Sequence, residues 1–167
     1  VEEHVSQANF PEAIDVAQQR LAIAQNLLGT DAAWTLTIER ELFTWRMLYG
    51  TFSTSGRQQF IPELTEFIAR HQQRFGSNHP NHAELCLDAA EFLSESDPLA
   101  VDFARQSMEA YQEAFTRTSE EYLVARTVLG IQLATQNDER CIEILEDSIA
   151  LWEAGPSAGC FRHCTAT

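Results

Sequence analysis

Apolar residues recur at intervals of three and four along most of the chain, which is the spacing of one buried face on an α-helix. The first such stretch places Phe10, Ile14, Leu21 and Leu28 on one face and stops at Gly29. Pro and Gly are scarce, and they fall at the seams between stretches of this kind. No segment alternates apolar and polar residues in the manner of a strand. The pattern therefore predicts an all-α chain.

About seven helices follow from this periodicity, with turn and cap signals between them. Their predicted ranges are 10–28, 34–49, 61–75, 80–93, 98–115, 119–135 and 138–154. Asp97, Ser119 and Asp138 stand where side chains cap helix N-termini. The residues at 53–56 predict a turn, so Pro62 is tolerable only in the first turn of the third helix.

Four of the predicted helices, the first, third, fifth and seventh, share one apolar pattern. Ile14, Ile61, Val101 and Ile142 occupy the same place in it, roughly 40–47 residues apart. The full pattern runs through Ala13, Ile14, Ala17, Leu21, Ala24 and Leu28; Phe60, Ile61, Leu64, Ile68, His71 and Phe75; Ala100, Val101, Ala104, Met108, Tyr111 and Phe115; and Cys141, Ile142, Leu145, Ile149 and Trp152. The three helices between them are of a second type. We interpret the order as one B helix followed by three A–B pairs.

Several short motifs resemble the long tetratricopeptide (TPR) repeats of kinesin light chains, which have about 42 residues each. They are Leu28-Gly29-Thr30-Asp31, Phe75-Gly76-Ser77-Asn78-His79-Pro80, Leu129-Gly130, and Ala100-Val101 followed by Ala104. The resemblance implies a TPR-like, right-handed solenoid of antiparallel helix pairs over residues 1–155, followed by a flexible tail at 156–167. The terminal proline of short TPRs is missing and the first repeat is too long, so armadillo-like or other paired-helix repeats stay open.

Stacked helix pairs leave a curved surface that repeats along the stack and suits extended peptides or helices. In TPR proteins the A helices line the concave side, so the resemblance implies a scaffold or regulatory module that binds a peptide or partner protein there. The candidate contact residues are polar positions off the apolar pattern: Glu39, Arg46, Asp88, Glu91, Arg126 and Gln132. The alternative is that these side chains only form a solvated helix face.

Charge narrows the possible partners. The formal net charge is −14, which argues against nucleic acid, because binding to phosphates requires clustered cations. A protein partner with some basic character is expected instead. No apolar run reaches the roughly 18 residues of a membrane span, and the first residues do not have the pattern of a signal peptide. The sequence therefore predicts a cytoplasmic chain without a membrane partner, and a fragment or processed form of a longer protein.

Catalytic chemistry finds little support in the sequence. All 11 basic residues are Arg, so the lysine-dependent enzyme classes are excluded. The stretch Gly155-Pro156-Ser157-Ala158-Gly159 has the letters of the G-x-S-x-G nucleophile motif, but that motif requires a strand before the serine. A helix precedes it here, which favours a linker. We expect neither an enzyme nor a cofactor.

The C-terminal tail is the basis of an alternative function. Cys160, His163 and Cys164 could bind a metal, act as a redox pair or be modified. Their spacing is not that of a zinc ribbon, and no second ligand pair stands elsewhere with zinc-finger spacing. The other two cysteines, Cys86 and Cys141, fall at helical core positions and are predicted to behave as small hydrophobic residues.

Overall fold

The computed structural model describes residues 10–49, 54–93 and 97–154. Within these ranges the chain is all-α and contains no strand, which confirms the prediction of an all-α chain. Its helices are α1 (Phe10–Leu28), α2 (Ala33–Tyr49), α3 (Thr54–Phe75), α4 (Pro80–Phe92), α5 (Pro98–Ala114), α6 (Glu120–Thr135) and α7 (Arg140–Ala154). The predicted tail at 156–167 lies outside the described residues.

Two of the helices end where the sequence predicts a stop. Gly29 follows α1 with a φ of 88°, and Gly76 follows α3 with a φ of 92°. A left-handed residue at this position turns the chain away from the helix, and glycine adopts it without a steric penalty. The amide of Gly29 still donates to the carbonyl oxygen of Gln25 at 3.0 Å. Both glycines are therefore required by the backbone.

The predicted N-terminal caps are confirmed. The side chain of Asp97 accepts a hydrogen bond from the amide of Leu99 at 2.9 Å, and Ser119 does the same for Tyr122 at 3.2 Å. Asp138 accepts from the amide of Arg140 at 3.0 Å. Hydrogen bonds from Arg140, side chain first and then backbone, also lower the pKa of the Asp138 carboxyl to about 2. Each cap satisfies a donor that the first turn of its helix leaves open.

The start of α3 corrects the prediction. The helix begins at Thr54 within the expected turn, and Pro62 lies inside it, well past the first turn. Phe60 explains the difference, because it is buried and precedes Pro62, so the apolar face continues upstream of the proline. Pro62 and Gln58 are both exposed. The carbonyl group of Gln58, which Pro62 cannot satisfy, therefore lies on a side of the helix that water can reach.

Contacts within the chain define two compact units, Val1–Phe75 and Gly76–Thr167, which we call unit 1 and unit 2. In unit 1, α1 packs on α2 and α2 packs on α3. In unit 2, α4 packs on α5, α5 on α6 and α6 on α7, and α4 also contacts α6. In each unit, helices that are consecutive in the sequence therefore pack on each other.

Large aromatic side chains fill the contact between α2 and α3 in unit 1. The rings of Phe43 and Phe67 stack at a centroid distance of 4.5 Å, and Phe60 lies 5.4 Å from Phe43. Two ion pairs flank this cluster: Arg46 binds Glu63 at 2.7 Å and Arg70 binds Glu39 at 2.5 Å. Phe60 and Phe67 are fully buried. Aromatic packing and paired charges therefore hold α3 against α2.

Unit 2 packs small residues beside buried aromatic rings. Ala83, Ala110 and Ala125 form a buried cluster with Tyr122 and Leu123. Gly130 of α6 lies directly against α7, because a Cβ atom placed on it would approach the side chain of Leu145 to 2.6 Å. Small residues at such positions allow helices to approach closely. The small position that the sequence indicates at Leu129-Gly130 is therefore a close contact between α6 and α7.

The shared apolar pattern is buried unevenly. Its central positions are buried in α1, α3 and α5, as shown by Leu21, Leu64 and Ala104. In α7 the pattern residues Ile142 and Ile149 are each 59% exposed. The last described helix therefore exposes apolar side chains at positions where α5 has the buried Val101 and the partly buried Met108.

None of the described helices combines the length and the apolar character that crossing a membrane requires.

Candidate functional site

A groove of about 530 Å³ opens on unit 2, lined by α4, the last turn of α5 and the first turns of α6. Its apolar lining comes from all three elements: Leu87 of α4, Tyr111 and the following helix cap Phe115, and Val124 of α6. Its acidic lining comes from Glu84 and Asp88 of α4 and from Glu120 and Glu121 of α6. We call this surface the acidic groove.

The helix ends position this lining. α4 begins at Pro80 after His79, whose Nδ1 atom accepts a hydrogen bond from the amide of Asn81 at 3.1 Å. α5 ends because Phe115 has an extended backbone, although its amide still donates to the carbonyl oxygen of Tyr111 at 2.9 Å. The rings of Tyr111 and Phe115 are therefore neighbours, with centroids 5.9 Å apart.

The charged side chains that line the acidic groove all carry negative charge. Its lining residues include four carboxylates and no Arg. The C-terminus of α5, with its partial negative charge, lies beside the groove, and so do the N-termini of α4 and α6, which carry partial positive charge. Glu120 and Glu121 occupy the first turn of α6, where the helix dipole stabilises negative charge. The charged side chains that line the groove thus have a negative net charge, which favours a cationic ligand over an anionic one.

Two of the residues predicted to contact a partner lie on α4. Asp88 is half-buried and lines the acidic groove. Glu91 is exposed on the same helix, outside the groove lining. Partner binding by either residue stays a prediction, and of the two only Asp88 lines the groove.

Arg126 and Gln132, on α6, form hydrogen bonds to other residues of unit 2. Arg126 donates to Asp147 at 2.8 Å and to the hydroxyl group of Tyr122 at 3.1 Å. Gln132 is buried, and its amide donates to the backbone carbonyl oxygen of Ala90 at 3.0 Å. Neither side chain belongs to a solvated helix face; both connect α6 with another helix of the unit.

Glu39 and Arg46, on α2, form ion pairs with residues of α3 in unit 1. Glu39 is buried and pairs with Arg70, and the Arg46 guanidinium pairs with Glu63 through two hydrogen bonds of 2.7 and 3.0 Å. Arg46 also lies over the ring of Phe60, at 4.3 Å from the centroid. These two predicted contact residues therefore take part in the packing of α2 on α3.

A smaller concavity of about 340 Å³ lies on unit 1, beside α1 and α2. Val16 and Trp45 supply apolar surface, and Arg20 pairs with Glu41 at 3.4 Å. Its charges are thus mixed and partly neutralised. The acidic groove is larger and has charges of one sign, which makes it the better candidate for a selective binding site.

His82 and Cys86 form a buried pair on α4, with the Sγ and Nε2 atoms 3.6 Å apart. Burial lowers the pKa of His82, and the neighbouring His79 adds to this effect. Burial also raises the pKa of the Cys86 thiol to about 12. Both groups are therefore neutral at pH 7, and Cys86 is not a reactive thiolate.

The described residues add no support for a metal site. No group of three or more His, Cys, Asp and Glu side chains there could hold a metal ion. The alternative ligands Cys160, His163 and Cys164 lie outside the described residues, as does Ser157 of the G-x-S-x-G match.

Sequence reasoning missed most of the acidic groove. Tyr111 and Phe115 belong to the shared apolar pattern and were predicted as core residues, yet Phe115 is 42% exposed. Glu120 and Glu121 follow the Ser119 cap and resemble ordinary first-turn acids. The sequence feature that could have indicated the groove is an aromatic residue, Phe115, at the end of a helix, followed closely by the acidic pair Glu120 and Glu121.

Comparisons with protein-family models, with curated proteins and with solved structures found no match to this chain. The resemblance to TPR repeats therefore stays a prediction from the sequence motifs.

Proposed function

We propose that this chain is a protein-interaction module that holds a peptide or a segment of a partner protein in the acidic groove. The observation that carries the proposal is the mixed lining of the groove, in which three helices contribute apolar side chains beside carboxylates. Binding sites of this kind combine apolar area, which supplies affinity, with a few polar groups that fix orientation.

The helix order supports a scaffold built from repeated pairs. Across α2 and α3, residue 39 pairs with 70 and residue 46 with 63, as happens when two helices run in opposite directions. The shared apolar pattern supports the repeat, because its central positions are buried in three of the four helices that carry it. A TPR-like solenoid of antiparallel pairs would present a concave surface, and we propose that the acidic groove belongs to that surface.

A peptide-display selection tests the proposal without knowledge of the partner. The full chain is immobilised, and bound peptides are counter-screened against Phe115→Ala, which removes an exposed ring from the groove, and against the matched control Trp34→Ala. Trp34 lies on α2 and is 63% exposed. We expect selected peptides to lose about tenfold in affinity for Phe115→Ala and to keep their affinity for Trp34→Ala.

Two results would contradict the proposal. One is that no peptide is enriched over an unrelated protein of similar charge. The other is that the enriched peptides bind both variants as well as they bind the unaltered chain. Helical circular dichroism of both variants shows that any loss comes from the altered surface.

A further inference from the structure

The acidic groove has a chemically distinct corner at the end of α5. Tyr111 and Phe115 lie there side by side, with ring centroids 5.9 Å apart and planes inclined at 38°. Phe115 is 42% exposed, whereas Tyr111 is buried beneath the surface. The faces of aromatic rings attract cations, and guanidinium groups most often use them in this way. Apolar ring surface is thus available beside the negative end of a helix.

Carboxylates of two helices line the same groove as this corner. Glu84 and Asp88 are one helical turn apart on α4, so their side chains lie on the same face of that helix. Glu120 and Glu121 begin α6. A cationic side chain that enters the groove would therefore lose contacts with water and gain contacts with an aromatic ring. Carboxylates from two helices line the same groove. That combination offsets much of the cost of removing the cation from water.

We infer that the occupant of the acidic groove is a basic peptide segment. An Arg or Lys side chain lies against the exposed ring of Phe115, near the carboxylates of α4 and α6, and an adjacent apolar side chain covers Leu87 and Val124. This inference rests on the proposed function and adds the chemistry of the partner. The one-sided charge of the groove selects the cation, and the apolar lining selects a peptide over a free metal ion or polyamine.

Fluorescence anisotropy with defined peptides tests the inference. The probe is a short labelled peptide that alternates Arg and Leu, and the comparison peptides carry Gln or Glu in place of every Arg. We expect the Arg peptide to bind about tenfold more tightly than the Gln peptide and the Glu peptide not to bind, with an affinity that falls as salt is added. Spermine serves as a competitor that is cationic without apolar side chains.

A charge-matched pair of variants separates the acidic groove from the overall negative charge of the chain. The groove variant is Glu84→Gln with Glu121→Gln, and the control is Glu146→Gln with Glu153→Gln on α7. Both variants remove two negative charges, so non-specific attraction weakens equally. We expect the groove variant to lose about tenfold in affinity for the Arg peptide and the control to lose less than about twofold. Phe115→Leu, which removes the ring and keeps an apolar group, should weaken the Arg peptide more than the Gln peptide.

Each outcome decides a different claim. Equal losses in the two double variants would overturn the inference, because binding would then follow net charge alone. Equal affinity for the Arg and Gln peptides, or competition by spermine as strong as that by the unlabelled Arg peptide, would overturn it while the proposed function stands. Failure of these peptides to bind would overturn the inference, and the absence of any enriched peptide in the display selection would overturn the proposed function as well.

Discussion

The contact between α2 and α3 in unit 1 and the end of α5 in unit 2 use aromatic side chains differently. In unit 1 the rings of Phe43, Phe60 and Phe67 lie between α2 and α3, and two Arg–Glu pairs flank them. In unit 2 the buried rings of Tyr111 and Tyr122 also pack between helices, beside small residues such as Ala83. Gly130 allows α7 to approach α6, and Phe115 is left partly exposed at a helix end. Aromatic residues that are used to pack helices leave little surface for a partner, whereas those at a helix end can line a groove.

The use of charge differs in the same way. Arg46 and Arg70 pair with carboxylates across the contact between α2 and α3, so that the charges of this contact are neutralised within unit 1. The acidic groove of unit 2 has four carboxylates and no Arg among its lining residues. Charged residues thus pair across a helix contact in unit 1, as Arg126 and Asp147 also do in unit 2, and the acidic groove differs because its charged lining side chains are all carboxylates.

The largest expected effect is on the aromatic contact of unit 1. Phe67→Ala removes a fully buried ring that stacks on Phe43. We expect a loss of about 4 kcal/mol in the free energy of unfolding, because the lost transfer energy adds to the cost of a cavity. Urea unfolding followed by helical circular dichroism measures it. Phe115→Ala is the matched control and should cost less than about 1 kcal/mol, since Phe115 is partly exposed. Equal losses would contradict the different roles assigned to the two phenylalanines.

A smaller effect is expected at the close contact of unit 2. In Gly130→Ala the new Cβ atom would lie 2.6 Å from Cδ2 and 2.7 Å from Cγ of Leu145. The resulting strain of about 1–3 kcal/mol exceeds the gain of roughly 1 kcal/mol that alanine brings to a helix interior.

Leu145→Ala provides the test of this explanation. It should destabilise the unaltered chain more than it destabilises Gly130→Ala, because in the second case it also relieves the overlap. Thermal unfolding of the four chains measures this coupling. Strictly additive losses would show that α6 and α7 can shift to accommodate the methyl group.

The smallest effect concerns the ion pair between Arg46 and Glu63. Glu63→Gln should lower the free energy of unfolding by up to about 1 kcal/mol, since the glutamate is half exposed and water screens the pair. The loss should shrink in high salt. Glu66→Gln is the control, because Glu66 is an exposed acid on the same helix. A loss of several kcal/mol for Glu63→Gln alone would mean that the pair carries more of the contact than the aromatic rings do.

Much of the fold could be predicted from the sequence, because helix periodicity, glycine stops and side-chain caps act over a few residues. Gly29, Asp97 and Ser119 are examples in which the local signal decided the local structure. The start of α3 could not be predicted in this way. There the burial of Phe60 against α2 extends the helix to residues that precede Pro62, although local rules place a proline in the first turn of a helix.

The candidate site was harder to predict for a related reason. Its lining comes from three helices, and their relative positions depend on packing that no single stretch of sequence shows. Asp88 was predicted as a contact residue because it is a polar residue off the apolar pattern; it lies in the groove lining, and its contact with a partner stays a prediction. Phe115 was assigned to the core because the pattern records apolar character and not whether a neighbouring helix extends far enough to cover the ring.

The central claim, that unit 2 binds a basic peptide in the acidic groove, is tested most directly by nuclear magnetic resonance. The isotope-labelled chain is titrated with the peptide of alternating Arg and Leu, and shifts of the backbone amide signals are mapped on the structure. The account predicts that the changes concentrate at residues 80–88, 111–115 and 120–124, and that the signals of α1 and α2 stay in place. Changes centred on α1 and α2, or spread evenly over the acidic surface, would contradict it.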